Sequence, residues 1–118
     1  KNIRFFKNFK PEDYVSLLAH SKCIVGNSSS GIREAVFLGT PTVNIGSRQS
    51  GRERGQNVID VNHNSDEIYA AIIKQMKHGR YPKSDLFGDG NAGKKVAQIL
   101  SEVNPKIQKK ISYSSWII

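Results

Sequence analysis

The chain has 118 residues, with 18 Lys and Arg against 10 Asp and Glu, a formal net charge of +8, and a single Cys. That length suits one domain or part of one and is small for a complete α/β enzyme, and one cysteine excludes an internal disulfide framework. There is no apolar run of membrane-spanning length, no His/Cys set with zinc spacing, no EF-hand and no Walker loop, so the sequence points to no membrane, no metal and no cofactor. A reducing cytoplasmic setting is the default. The excess positive charge favours an anionic partner, but it is spread along the chain rather than gathered on one motif. The chain opens at Lys1 without a methionine, which suggests a fragment or a trimmed form.

Lys1 to Phe9 is rich in β-formers and reads as a strand running into a loop. Pro11 suits a helix start, with Glu12 and Asp13 in the first turn, Tyr14, Val15, Leu17 and Leu18 on the apolar side, and an end near Ser21. Cys23, Ile24 and Val25 are too few for a helix and suit a buried parallel strand, with Cys23 a small hydrophobe rather than a nucleophile. Gly26 and Asn27 break that strand. Ser28, Ser29, Ser30 and Gly31 then supply hydroxyls, unhindered backbone N–H groups and an N-cap for a helix carrying Ile32, Ala35, Val36 and Leu38 at helical spacing. Gly39-Thr40-Pro41 stops the helix before a strand at Thr42 to Ile45.

The loop from Gly46 to Gln56 carries Arg48, Arg52 and Arg54, and a short strand follows at Val58 to Val61. Ser65, Asp66 and Glu67 open a helix with Ile68, Ala71, Ile72 and Met76 on one face, ending at His78-Gly79. Tyr81 to Gly90 is a loop, and Asn91 suits the cap of a last helix with Val96, Ala97, Ile99, Leu100 and Val103, closed by Asn104-Pro105. Residues 1–104 thus read as one domain and 105–118 as a tail, whose Lys106, Lys109 and Lys110 suit a solvated end.

Alternating strands and helices predict a Rossmann-like α/β unit: a parallel sheet of about four strands with flanking helices. In such sheets ligands lie at the C-terminal strand ends, where the serine turn and the Arg48 loop both emerge. A turn of small residues leading from a strand into a helix is suited to a phosphate. One serine suffices to cap a helix, so three in succession favour an anion site over capping alone. Glu34, one turn deeper, is placed to accept hydrogen bonds from ribose hydroxyls if a nucleotide diphosphate occupies the turn. Arg48 offers a planar fork for phosphate oxygens, and Arg52 is assigned to closure of a cleft. His20 and His63 carry no distinguishing pattern.

Four strings make a family resemblance: G-N-S-S-S-G-I-R-E at Gly26 to Glu34, G-T-P-T-V-N-I-G-S-R-Q at Gly39 to Gln49, G-R-E-R-G-Q-N-V at Gly51 to Val58, and G-D-G-N-A at Gly88 to Ala92. In order and spacing they resemble the UDP-N-acetylglucosamine 2-epimerase family, from about Phe5 to Leu100. The Gly-x-Arg-Gln-x-Gly-Arg loop looks closer to the hydrolysing branch, which releases N-acetylmannosamine and UDP. The resemblance implies a glycosyltransferase-B-like enzyme with two Rossmann-like domains, of which this chain would be the later part of the second. It further implies the diphosphate on Ser28, Ser29, Ser30 and Gly31, the ribose on Glu34, Arg48 near the nucleotide, and the base near the loop from Asn8 to Lys10, where Phe9 is a candidate. Elimination of UDP across C1 and C2 followed by addition of water is the implied reaction. Its acid and base would come from the N-terminal domain, so the isolated chain is expected to be inactive. The string at Gly88 to Asn91 reads as a turn and helix cap.

Two other readings remain at this level. Glu34, Gly39 and Pro41 also satisfy a looser Glu-x-x-x-x-Gly-x-Pro pattern of glycosyltransferase donor domains, and fold alone does not fix function. A basic nucleic-acid-binding module would call for stacking aromatics among Lys and Arg in a recognised motif, and none is present, so nucleic acid is not an expected partner. The expected partners are UDP or a UDP-sugar and the absent N-terminal domain; the sequence is compatible with a homo-oligomer.

Overall fold

The computed structural model describes residues 2–104 and Lys106. These fall into two compact units, the first reaching Phe87 and the second starting at Gly88. The first contains α1 (Pro11–His20), β1 (Ile24–Gly26), a 3-10 turn (Ser29–Gly31), α2 (Glu34–Leu38), β2 (Thr42–Ile45), β3 (Val58–Val61) and α3 (Ser65–His78). The second contains α4 (Ala92–Glu102). Apart from Lys106, the expected tail at 105–118 lies outside the described residues.

The sheet is parallel in the order β1-β2-β3, with Ile24 opposite Thr42 and Thr42 opposite Val58. Parallel strands flanked by helices, with α2 crossing from β1 to β2 and a loop joining β2 to β3, make this a Rossmann-like α/β arrangement. Ile32, Ala35, Val36 and Val43 form its buried apolar centre with Leu18 and Ala71.

Several sequence expectations are corrected. Lys1 to Phe9 forms no strand among its described residues: Ile3, Phe5 and Phe6 are exposed, and a β-former run without a neighbouring strand has no ladder to join. The described sheet has three strands rather than four. Of the expected apolar side of α1 only Leu18 is buried, while Val15 and Leu17 face outward. The helix expected from Ile32 starts as the 3-10 turn and becomes α-helical only at Glu34. α3 does start at Ser65 as expected, and Asn64 caps it, its Oδ1 accepting from the N–H groups of Asp66 and Glu67. The Asn91 side chain makes no capping hydrogen bond for α4; its own N–H donates to Asp89 Oδ1.

On α3 the fully buried residue is Gln75, whereas Met76 is half exposed. Gln75 Nε2 donates to the carbonyls of Thr42 and Asn57, both at 2.8 Å, and its Oε1 accepts from Tyr81 Oη at 2.7 Å. Asn57 continues the network: its Nδ2 donates to Thr40 O at 2.9 Å and to Gly31 O at 3.3 Å. Thr40 Oγ1 donates to Leu18 O and accepts from Arg80 Nη1. The Arg80 guanidinium also donates to Ala19 O, Ser21 O and Leu38 O, closing the C-terminal ends of α1 and α2. Gly39 ends α2 with φ of 72° in the left-handed region, and Tyr81 N donates to its carbonyl at 2.9 Å.

Replacing Gln75 by Leu strips a donor from two buried carbonyls. The expected cost is about 2 to 4 kcal/mol, read as a lower midpoint in urea unfolding with an unchanged slope. Tyr81→Phe removes one hydrogen bond and is expected to cost about 1 kcal/mol in the same assay.

Candidate functional site

Because β1 and β2 run parallel, the turn after Gly26 and the loop after Ile45 leave the same end of the sheet. The serine turn is built from inside. Ser28 caps the 3-10 turn, its Oγ accepting from Ser30 N at 3.3 Å. Ser30 is only 8% exposed, with its Oγ 2.9 Å from Ser28 Oγ and 2.7 Å from Tyr14 Oη. The hydroxyls open to solvent are therefore those of Ser28, which is exposed, and Ser29, which is half-buried. Gly31 is buried against β2, and a Cβ there would stand 2.6 Å from Thr42 Cγ2. Its lack of a side chain lets the turn lie on the strand.

Arg48 and Gln49 join the loop to this turn. Arg48 Nη1 donates to Asn27 Oδ1 over a long 3.4 Å, with Arg48 itself exposed. Gln49 is buried beneath it, its Nε2 donating to Asn27 O at 2.8 Å. Glu34 opens α2 with its carboxylate exposed. Phe9 lies 6.2 Å from the Tyr14 ring, and Phe6 packs on Phe9 at 4.8 Å, so an aromatic group flanks the hydroxyl chain Tyr14-Ser30-Ser28.

Arg52 stands apart from this group, in a 340 Å³ recess with Ile32, Arg33, Glu53 and Phe87. His20 Nδ1 donates to the Ser16 carbonyl within α1, and His63 lies against Gly46. Burial pushes the Cys23 thiol up, only partly offset by the Val43 backbone, so it is held in its unreactive form.

Asn44 and Arg54 meet on Asp60 at the base of the loop: Asn44 Nδ2 donates to Oδ1 at 2.7 Å and Arg54 Nε to Oδ2 at 3.0 Å. Burial pulls the Asp60 carboxyl upward, but the Arg54 and Asn44 hydrogen bonds and the Arg54 charge outweigh it and hold the group below the usual carboxylate range. Sequence reading put Tyr14 on the apolar side of α1 and assigned no role to Gln49 or Asn57. Their partners are distant in sequence, and the only signal was that Gln49 and Asn57 fall inside the strings that carry the family resemblance.

Fold and site together define a Rossmann-like α/β unit with a polar rim of hydroxyls and an arginine at its C-terminal strand ends. The family model described as UDP-N-acetylglucosamine 2-epimerase matches residues 1–101, and the chain belongs to that family. It is 35% identical over 102 residues to the UDP-N,N'-diacetylbacillosamine 2-epimerase (hydrolyzing) of Legionella pneumophila, covering 86% of this chain and 27% of that protein. It is 33% identical over 99 residues to the UDP-N-acetylglucosamine 2-epimerase of Neisseria meningitidis, covering 84% of this chain and 26% of that protein. Over 57 residues identity rises to 51% with the GDP/UDP-N,N'-diacetylbacillosamine 2-epimerase (hydrolyzing) of Campylobacter jejuni, covering 48% of this chain and 15% of that protein. The chain thus spans about a quarter or less of the length of these curated relatives.

The Asp60 anchor has a definite pH signature. A carboxylate with a lowered folded pKa contributes stability that is complete above its unfolded value, about 3.9, and is lost as pH falls through the folded value. Asp60→Asn is therefore expected to lower the melting temperature at pH 7, with the gap to wild type closing between pH 4 and lower pH. A gap that stays constant down to pH 3 would count against the anchor.

Proposed function

We propose that this chain is the UDP-holding part of a hydrolysing UDP-N-acetylglucosamine 2-epimerase, which converts UDP-N-acetylglucosamine and water to N-acetylmannosamine and UDP. The observation that carries this reading is the exposed Arg48 guanidinium drawn to the serine turn through Asn27, where two parallel strands end. Two of the relatives named above are described as hydrolyzing. In this reading Ser28, Ser29 and the N–H groups near Gly31 hold the diphosphate, and Ser30 orients Ser28 while Tyr14 holds Ser30. Arg48 takes up the charge that grows on the diphosphate as the C1–O bond breaks, a charge-assisted contact strongest when that charge is greatest. Glu34 accepts from the ribose and Phe9 flanks the base, while Arg52, in its own recess, takes no part in holding the nucleotide.

Elimination across C1 and C2 needs a base for the proton at C2, and addition of water then needs a proton donor. We assign both to an N-terminal domain outside this chain, and expect the chain alone to bind nucleotide without turnover. The cytoplasm is the setting that supplies nucleotide sugars to such an enzyme.

The test is titration of the full-length protein with UDP. Arg48→Lys keeps the charge but loses the fork and is expected to weaken UDP about tenfold. Glu34→Ala is expected to weaken UDP several-fold while leaving inorganic diphosphate binding unchanged, because only the ribose contact is lost. Unchanged UDP affinity in both variants, or release of UDP without N-acetylmannosamine from UDP-N-acetylglucosamine, would overturn the assignment.

A further inference from the structure

Gln49 stands out among the polar side chains near the site. It is 4% exposed; its Nε2 donates to Asn27 O at 2.8 Å, and its Oε1 has no partner among the described residues. An unpaired buried acceptor costs stability, and an apolar side chain of the same length would carry no such cost. What the amide supplies that Met or Leu would lack is its donor, and that donor is directed at the main chain of the serine turn.

The consequence falls on the next residue. Arg48 is exposed, and its only side-chain hydrogen bond among the described residues is the 3.4 Å contact to Asn27 Oδ1, too long to hold a flexible arginine by itself. The backbone from which Arg48 projects is fixed by a turn, with Ser50 N donating to Ser47 O at 2.9 Å, and by the Gln49 anchor inside that turn. Asn27 is thereby gripped at both ends: its carbonyl by Gln49 and its side chain by Arg48. We infer that Gln49 is a positioning residue for the nucleotide, locking the Arg48 loop to the serine turn so that guanidinium and hydroxyls present one preorganised surface to the diphosphate. Preorganisation of this kind raises affinity by reducing what must be ordered on binding. The inference rests on the nucleotide reading of the loop given above.

The experiment is a double-mutant cycle in the full-length protein, with UDP affinity measured by calorimetry and the melting temperature recorded for each variant. Arg48→Ala is expected to weaken UDP at least tenfold. Gln49→Met keeps the volume, removes the unpaired acceptor and loses the anchor; it is expected to weaken UDP about fivefold with little change in melting temperature. In the double variant the loss is expected to match that of Arg48→Ala alone within about twofold, because an arginine that is absent needs no positioning. Effects that multiply in the double variant, or unchanged affinity in Gln49→Met, overturn the role given to Gln49 and leave the nucleotide site standing. Unchanged affinity in Arg48→Ala overturns the nucleotide reading of the loop and this role with it. Should Gln49→Met not fold, Gln49→Leu, which likewise has no N–H to give Asn27 and adds no charge, takes its place in the cycle with the same expected pattern.

Discussion

The first unit depends on the buried amide network of Asn57 and Gln75. A parallel sheet of three short strands exposes few residues for apolar packing, and its strand starts at Thr42 and Val58 leave main-chain carbonyls in the interior. Gln75 reaches from α3 to the carbonyls of Thr42 and Asn57, and Asn57 reaches from the start of β3 to Thr40 and Gly31. In a low-dielectric interior such hydrogen bonds are strong and their loss is costly, so the network admits one arrangement of strands and helix. Because one arm ends on Gly31 O, the register of the sheet and the seat of the serine turn are the same constraint.

From that seat the site follows by topology. Parallel strands deliver the serine turn and the arginine loop to one end of the sheet, and Asn27 gives both a common attachment. Ser30 faces inward to Tyr14, so part of the polar surface suggested by three serines is scaffold that fixes its neighbours. Arg80 performs the same service at the opposite end, closing α1 and α2 with one guanidinium. In the proposed reading this surface is a nucleotide half-site, and the bond-breaking acid and base come from a domain outside this chain.

Much of the fold was legible because its punctuation is local. Pro11 opens α1, Gly39 in the left-handed region ends α2, and β2 and β3 match the apolar runs at Thr42 to Ile45 and Val58 to Val61. What misled was pattern without context. The β-formers at Phe5 and Phe6 have no strand to pair with among the described residues, and helical periodicity put Met76 with Ala71 on the buried face of α3, where Ala71 is buried but Met76 is half exposed and Gln75 is fully buried. Apolar periodicity cannot register a glutamine whose burial is compensated by hydrogen bonds formed 18 and 33 residues away.

By itself the sequence determined the order of elements from α1 onward, the parallel α/β class, the family strings and the polar character of the serine turn and arginine loop, since each of these depends on residues within about one helical turn or one strand of one another. Tertiary structure decided which of those polar groups meet. Arg48 reaches Asn27, the residue before the serines, across 21 positions and Gln49 reaches it across 22, whereas Arg52, four residues from Arg48, lines a recess with Ile32, Arg33, Glu53 and Phe87. Contacts of that range arise only when the strands have paired and the amide network has closed, and no local pattern encodes them.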